Sequence, residues 1–138
     1  MLVSTILWGT VVGLIHFVAV GMLYGNPIID RFYREAAGTE PGVKVHPSKP
    51  KYFAQMFLGT QVEIYILAFG FLWIRPLLSI EGWVGTILLG LLFAGIRVYP
   101  RFWNMWIQST YPNRLLAIEF VNGILSTLVV VSGMHLLT

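Results

Sequence analysis

The sequence predicts an all-α integral membrane protein, in which four transmembrane helices form a bundle and residues 1–138 form one membrane domain. Hydrophobic residues make up 57% of the chain and charged residues only 11%, against roughly 25% in ordinary soluble domains. The mean hydropathy is +0.75. Four apolar stretches approach the roughly 20 residues that a helix needs to cross a bilayer. Lipid offers no hydrogen bonds to the backbone, so these stretches must be helical.

The first predicted span covers about residues 3–24, with no basic segment before it and no small-residue cleavage site after it. These features indicate a retained helix rather than a signal peptide. The other three spans are predicted at about residues 52–74, 80–99 and 114–137, separated by two longer loops at 25–51 and 100–113 and by one short connection.

Basic residues are concentrated in or beside the two longer loops. The first has Arg31, Arg34, Lys44, Lys49 and Lys51, and the second has Arg97, Arg101 and Arg114 at or near it. The short connection carries only Arg75. By the positive-inside rule, both basic loops are inner loops and both termini lie on the outer side. We expect the bacterial inner (cell) membrane as the location.

Composition also limits the classes of function. Membrane topology explains the net charge of +3 better than nucleic-acid binding does. The absence of cysteine excludes thiolate catalysis and cysteine-ligated metal centres. The three histidines lack metal-ligand spacing, and His16 and His135 lie at depths too different to bracket one haem iron. We therefore expect no metal and no cofactor, and we rank a membrane enzyme last because no nucleophile stands beside a base.

The predicted loops contain two kinds of segment. Residues 27–35, PIIDRFYRE, are typical of a short amphipathic helix at the headgroup level. Residues 38–51 mix proline, glycine and charge, which predicts an irregular solvated loop. In the second loop Trp103, Trp106 and Tyr111 fit an interfacial aromatic belt without any binding site.

Each span places an ionisable residue on its smallest face at helical spacing. His16 lies with Gly9 and Gly13; Glu63 lies between Gly59 and Gly70; Arg97 and Arg101 follow Thr86, Gly90 and Ala94; Glu119 shares a stripe with Asn122, Gly123 and Ser126. Small faces are where membrane helices pack closely. We therefore expect the polar groups to converge inside the bundle or at a subunit contact, since an isolated charge at mid-bilayer costs about 2.5 to 3.5 kcal/mol.

Counting about 1.5 Å per residue from the inner ends puts Arg97 at a shallow depth and Glu119 roughly 9 Å in. His16, Asn122 and Glu63 lie roughly 12 to 17 Å in by the same count. Glu63 then has no cation at its own depth except His16, which would favour its protonation and proton exchange. Gln61 points away from Glu63, so the second span has polar groups on two sides, and we expect that span to contact a second subunit.

Each residue also has a purely structural interpretation. His16 fits a hydrogen-bonded packing residue as well as a binding residue. Glu119 fits a structural ion pair with Arg97 or Arg114. Arg97 and Arg101 fit interfacial snorkelling, or a grip on an anionic headgroup or substrate.

Two short motifs resemble segments found in a known family of membrane proteins. They are the segment GMLYGNP at residues 21–27, which ends the first span, and the segment RFWNMWI at residues 101–107, which precedes the last. With the four-span plan, they resemble a family of small bacterial membrane proteins, domain of unknown function 1761. The resemblance covers nearly the whole chain, except for the longer basic inner loop at 38–51. It implies a four-helix fold and brings no activity or catalytic residues with it.

Two hypotheses of function remain open. The first is a proton-linked carrier or ligand-binding bundle whose polar cluster opens to the inside. Glu63 exchanges protons, His16 and Asn122 complete the pocket, and Glu119 with Arg97 forms the inner gate. The second is a non-catalytic structural or accessory subunit, in which the same residues are interhelical hydrogen bonds. In either case we expect membrane lipids as partners, together with a homo-oligomer or another membrane protein.

Overall fold

The computed structural model describes all 138 residues, and every regular element in it is helical. The helices are α1 (Leu2–Gly25), α2 (Pro27–Thr39), α3 (Lys49–Ile74), α4 (Gly82–Gln108) and α5 (Asn113–Leu137), with a single 3-10 turn at Arg75–Leu77. All except α2 are long and apolar enough to cross a membrane, which confirms the all-α class and the four predicted spans. Both termini and the α3–α4 turn lie at one end of the bundle, the terminal end; α2 and the α4–α5 connection lie at the other, the loop end.

The short helix α2 begins where the sequence predicts an amphipathic segment. The side chain of Asn26 accepts a hydrogen bond from the Ile29 amide at 3.1 Å, and Pro27 occupies the first turn, where its missing N–H costs nothing. Its charges are paired along the helix, Arg31 with Glu35 among them. The prediction of an amphipathic helix is therefore confirmed, although α2 runs to Thr39, four residues beyond the predicted end.

The helix α4 differs from the prediction, because it continues through Pro100 to Gln108. The predicted loop at 100–113 is thus wrong for residues 100–108. A proline removes one backbone hydrogen bond, which membrane helices tolerate when their neighbours hold them in place. At 1.5 Å per residue α4 is about 40 Å long, more than a bilayer core of roughly 30 Å. The part of α4 near Gln108 carries Trp103 and Trp106, whose tilted rings lie 5.3 Å apart.

Small residues bring the helices into close contact, as the sequence predicts. A Cβ added to Gly123 of α5 would lie 2.8 Å from a methyl carbon of Val98 on α4. A Cβ at Gly133 of α5 would lie 3.2 Å from a methyl carbon of Val12 on α1. The helices α1, α3 and α5 pack on one another, and α4 packs mainly on α5. The backbones of α3 and α4 hardly approach each other, so side chains must bridge the seam between them.

Candidate functional site

An ion pair bridges the seam between α3 and α4. Arg97 Nε donates to Glu63 Oε1 at 2.5 Å, and Arg97 Nη2 donates to Glu63 Oε2 at 2.8 Å. Two parallel bonds between a guanidinium and a carboxylate are the strong, oriented form of this contact. The Arg97 side chain is 19% exposed and the Glu63 side chain 39% exposed. The carboxylate is therefore the more accessible partner, on the side of the bundle where the seam opens.

The third helix of the site, α5, holds the guanidinium from behind. Arg97 Nη1 donates to Ser126 Oγ at 3.2 Å and to Thr127 Oγ1 at 2.9 Å. Both hydroxyls in turn donate to the carbonyl of Gly123, at 3.1 and 2.8 Å. Since both hydroxyls are buried and anchored to backbone, they fix the plane of the guanidinium independently of Glu63.

The helix α1 contributes His16, which is 2% exposed. Its ring is close enough to both Arg97 and Glu63 to interact electrostatically with each. Its Nε2 atom is buried and has no hydrogen-bond partner. The same is true of Gln61 Oε1 and Asn122 Nδ2. Buried polar atoms are normally hydrogen-bonded, so these three retain capacity for water or a ligand, and among them only the His16 imidazole can take up a proton. The ion pair, Ser126, Thr127 and His16 together are called the central site below.

A second cluster lies at the loop end around Glu119 and is called the inner cluster, after the side on which the positive-inside rule predicts this end. Its Oε1 accepts from Tyr111 Oη at 2.5 Å and from Tyr33 Oη at 3.2 Å, and its Oε2 accepts from Arg101 Nη2 at 3.3 Å. Burial raises the pKa of Tyr33 and of Tyr111, and the Glu119 carboxylate raises both further. Both phenols therefore stay protonated and remain donors. The inner cluster thus ties α2 and the α4–α5 connection to α5.

A third cluster closes the terminal end. Arg75 Nη2 donates to the carbonyl of Gly82 at 2.9 Å, and Arg75 Nε donates to Thr86 Oγ1 at 3.4 Å. The same hydroxyl meets His135 Nδ1 at 2.9 Å, and the His135 ring packs against Trp83 at 4.3 Å. These residues come from three separate parts of the chain, so no local sequence pattern connects them. The polar face of α4 that includes Thr86 was the one available signal.

The structure brings some of the predicted residues together and separates others. The central site unites His16, Glu63 and Arg97, as convergence predicts. The predicted pairing of Glu119 with Arg97 is wrong, because Glu119 pairs with Arg101 and Arg97 pairs with Glu63. The prediction that Glu63 lacks a cation other than His16 is wrong for the same reason. Asn122 is buried in α5, on the side that faces Tyr24.

The ion pair places the Arg97 guanidinium level with the Glu63 carboxylate, although the sequence predicts different depths for the two residues. The helix α4 continues eleven residues beyond Arg97 to Gln108, roughly 16 Å along its axis. Gln61 makes a contact within the chain, since its Nε2 donates to the Gly9 carbonyl at 3.0 Å, and the contact of the second span with another subunit stays a prediction. Gln61 lies against Gly13 on α1, which has no side chain to exclude it.

Two surface depressions lie away from the central site. An apolar groove of about 130 Å³ lies along α4 and α5, lined by Leu91, Ala94, Gly95, Tyr99, Phe120 and Ile124. A polar depression of about 200 Å³ surrounds the start of α3, around His46 and Lys51. Neither includes Glu63 or Arg97. The central site is therefore a set of paired side chains at a helix seam.

The four apolar helices and the polar groups buried among them define an integral membrane protein of the helix-bundle class. No family model matches the chain, and no curated protein or solved structure is significantly similar to it. The resemblance to domain of unknown function 1761 therefore remains a prediction, and function must be argued from the central site.

Proposed function

We propose that this protein is a small proton-linked carrier or ligand-binding bundle, in which the central site binds and releases a proton. The observation that carries the proposal is the Glu63–Arg97 pair at the seam between α3 and α4, with the unpartnered His16 ring beside it. Ionisable residues within membrane segments are costly to keep, and they mark ion or substrate pathways more often than surface charges do.

Protonation of Glu63 is the switching step of the proposed cycle. A proton on the carboxyl removes its charge and its bidentate contact with Arg97. Because the backbones of α3 and α4 hardly touch, loss of the pair loosens the seam. His16 supplies a second proton-binding group next to the seam, and Asn122 supplies a free amide on the way to the inner cluster.

The inner cluster is the proposed gate on the inner side. In place of a Glu119–Arg97 gate, we assign this role to the contact between Glu119 and Arg101. The Arg101 side chain is 70% exposed and therefore free to leave the carboxylate, whereas Glu119 is 20% exposed and held by two phenols. The proposed setting is a bacterial inner membrane with both termini outside, and the proposed assembly is a homo-oligomer.

The test is an infrared pH titration of the purified protein in lipid nanodiscs, following the carbonyl band of protonated carboxyls. Glu63→Gln is expected to keep the helical circular dichroism spectrum and to lose one protonation step. Glu35→Gln is the matched control, since Glu35 lies exposed on α2 and its loss removes only an exposed carboxyl signal. A Glu63→Gln protein that keeps every shielded protonation step of the unmodified protein contradicts the proposal.

A structural role is the second candidate, and one observation favours it. The hydrogen bonds of Arg97 tie together three helices, α3, α4 and α5, and so bridge the loosely packed seam. In a non-catalytic subunit of a homo-oligomer or larger complex, such a tie serves packing alone. Glu63→Gln would then mainly lower the stability of the bundle or oligomer, measured by native mass spectrometry, and proton binding would be incidental.

A further inference from the structure

We propose that the ligand of the central site is an oxyanion of the carboxylate type, bound by Arg97 in the place that Glu63 now occupies. The inference rests on the proposed proton-exchange role of Glu63. It adds the chemical class of the ligand and the coupling between ligand and proton.

The geometry of Arg97 supports an oxyanion. Its Nε and Nη2 atoms present two parallel donors, 2.5 and 2.8 Å from the two oxygens of Glu63. This fork matches any planar group with two oxygens on one carbon, and arginine is favoured wherever such groups are recognised. The Glu63 carboxylate therefore acts as an internal copy of the ligand's own headgroup.

The guanidinium of Arg97 is already oriented to bind an anion in place of the Glu63 carboxylate. Ser126 and Thr127 hold Nη1 of Arg97 from α5, and neither contact involves Glu63. When the carboxyl of Glu63 leaves, the guanidinium therefore keeps its orientation. A site whose donors are already oriented binds its ligand at a lower entropic cost.

Charge balance couples the anion to a proton. The resting pair of Glu63 and Arg97 is neutral. Protonation of Glu63 leaves one positive charge on Arg97, which is costly inside a membrane, and a bound monoanion restores neutrality. One proton and one anion therefore bind together, with no covalent bond made or broken.

The groups that face Glu63 support this one-to-one coupling. The helix α1 presents His16 and α4 presents Arg97, while α5 presents only the hydroxyls of Ser126 and Thr127 at this level. On α3 itself, the Tyr65 hydroxyl is taken up by Thr10 at 2.9 Å. Glu63 is therefore the only carboxylate on the central guanidinium.

The ligand has two possible sources that share this chemistry. The Glu63 side chain is 39% exposed at the seam between α3 and α4, on the outer surface of the bundle. A carboxylate with a hydrocarbon tail would reach this surface from the bilayer, whereas a short carboxylate would come from water. The experiment separates the two sources by using butyrate and laurate.

The protein in nanodiscs of neutral phosphatidylcholine is mixed with butyrate or laurate in weakly buffered solution, and proton uptake and anion binding are recorded, with empty discs as background. About one proton should enter per anion bound, and affinity should rise about tenfold for each unit of pH decrease while Glu63 is ionised. Glu63→Gln should bind the anion without proton uptake. Arg31→Gln is the control, because that side chain is 75% exposed on α2.

Arg97→Gln should abolish both signals. Arg97→Lys keeps the positive charge and loses the two parallel donors, so it should weaken anion binding at least tenfold. This second variant keeps the test valid if Arg97→Gln fails to fold. Uptake with butyrate supports an aqueous anion, and uptake with laurate alone supports an amphiphilic one. The inference is overturned if neither anion causes uptake above background, or if Arg97→Gln behaves like the unmodified protein. If the infrared titration still detects the Glu63 proton in that case, the proposed function stands and only the anion assignment fails.

Discussion

Replacing Arg97 with methionine should destabilise the bundle by an amount that depends on pH. The variant keeps an apolar side chain of similar length and leaves Glu63 without its guanidinium. In a membrane the stranded carboxyl takes up a proton, and at pH 7 this costs about 3.7 kcal/mol for a carboxyl of ordinary pKa near 4.3, at about 1.36 kcal/mol per pH unit. At pH 5 the same cost is about 1 kcal/mol. We therefore expect a loss of about 3 to 4 kcal/mol at pH 7 and about 1 kcal/mol at pH 5.

The sign of the pH dependence follows from proton counting. The folded variant holds one proton more than its unfolded chain, so its stability falls as pH rises between 5 and 7. Unfolding in mixed micelles of sodium dodecyl sulfate and a mild detergent, followed by circular dichroism, measures the change.

A double-mutant cycle completes the test. Because replacing both charges with apolar groups removes the stranded charge, Glu63→Leu combined with Arg97→Met should lie within about 1 kcal/mol of the unmodified protein at pH 7. Arg34→Met, on an arginine that is 73% exposed on α2, should stay within about 0.5 kcal/mol of it. If the Arg97→Met loss is the same at both pH values, or if the double variant shows the sum of the two single losses, the ion pair is not the link described above.

Two further predictions concern the helix seams and the inner cluster. Gly123→Ala should cost about 1 to 2 kcal/mol, because its methyl group would lie 2.8 Å from a valine that cannot rotate away, whereas Gly95→Ala has nothing within 4 Å and should cost nothing in the same unfolding assay. Since burial and then the nearby carboxylate raise the pKa of Tyr33 and Tyr111 above the unfolded value of about 10, docking of α2 should hold from pH 7 to 9 and weaken above about pH 10. Fluorescence anisotropy of a dye on α2 measures this change, and changing both tyrosines to phenylalanine should remove the step; a step that survives would contradict the role of the phenols.

The sequence predicts those parts of the structure that depend on local pattern. Apolar length and composition predict the spans, and helical spacing predicts that Gly13 and His16 share a buried face of α1. The start of α2 follows from Asn26 and Pro27, whose side chains act on the adjacent turn. Such features depend on residues within a turn or two of each other, and these can be read directly from one chain.

The partners of the charged groups depend on distant parts of the chain. The sequence predicts the end of a span at residue 99, and this places Arg97 and Glu63 at different depths. In the structure α4 continues through Pro100, and the long Arg97 side chain spans the seam to Glu63. The contact of Glu119 with Tyr33 joins residues 86 positions apart, and no periodicity within one helix indicates such a pair. The tolerance of membrane helices for proline was the signal that would have predicted the continuation of α4 through Pro100.

The helices α3 and α4 are joined at their turn, and their backbones have few contacts away from it. Arg75 clamps this turn to the Gly82 carbonyl, and Gly82 itself adopts a φ of 64°, a conformation open mainly to glycine. Arg97 lies fifteen residues along α4 from this pivot, roughly 22 Å away. A rotation of about 5° at the pivot therefore moves Arg97 by about 2 Å, enough to separate the guanidinium from the carboxylate. A rotation of that size would therefore break the contact at the seam while leaving the hydrogen bond from Arg75 to the Gly82 carbonyl nearly unchanged.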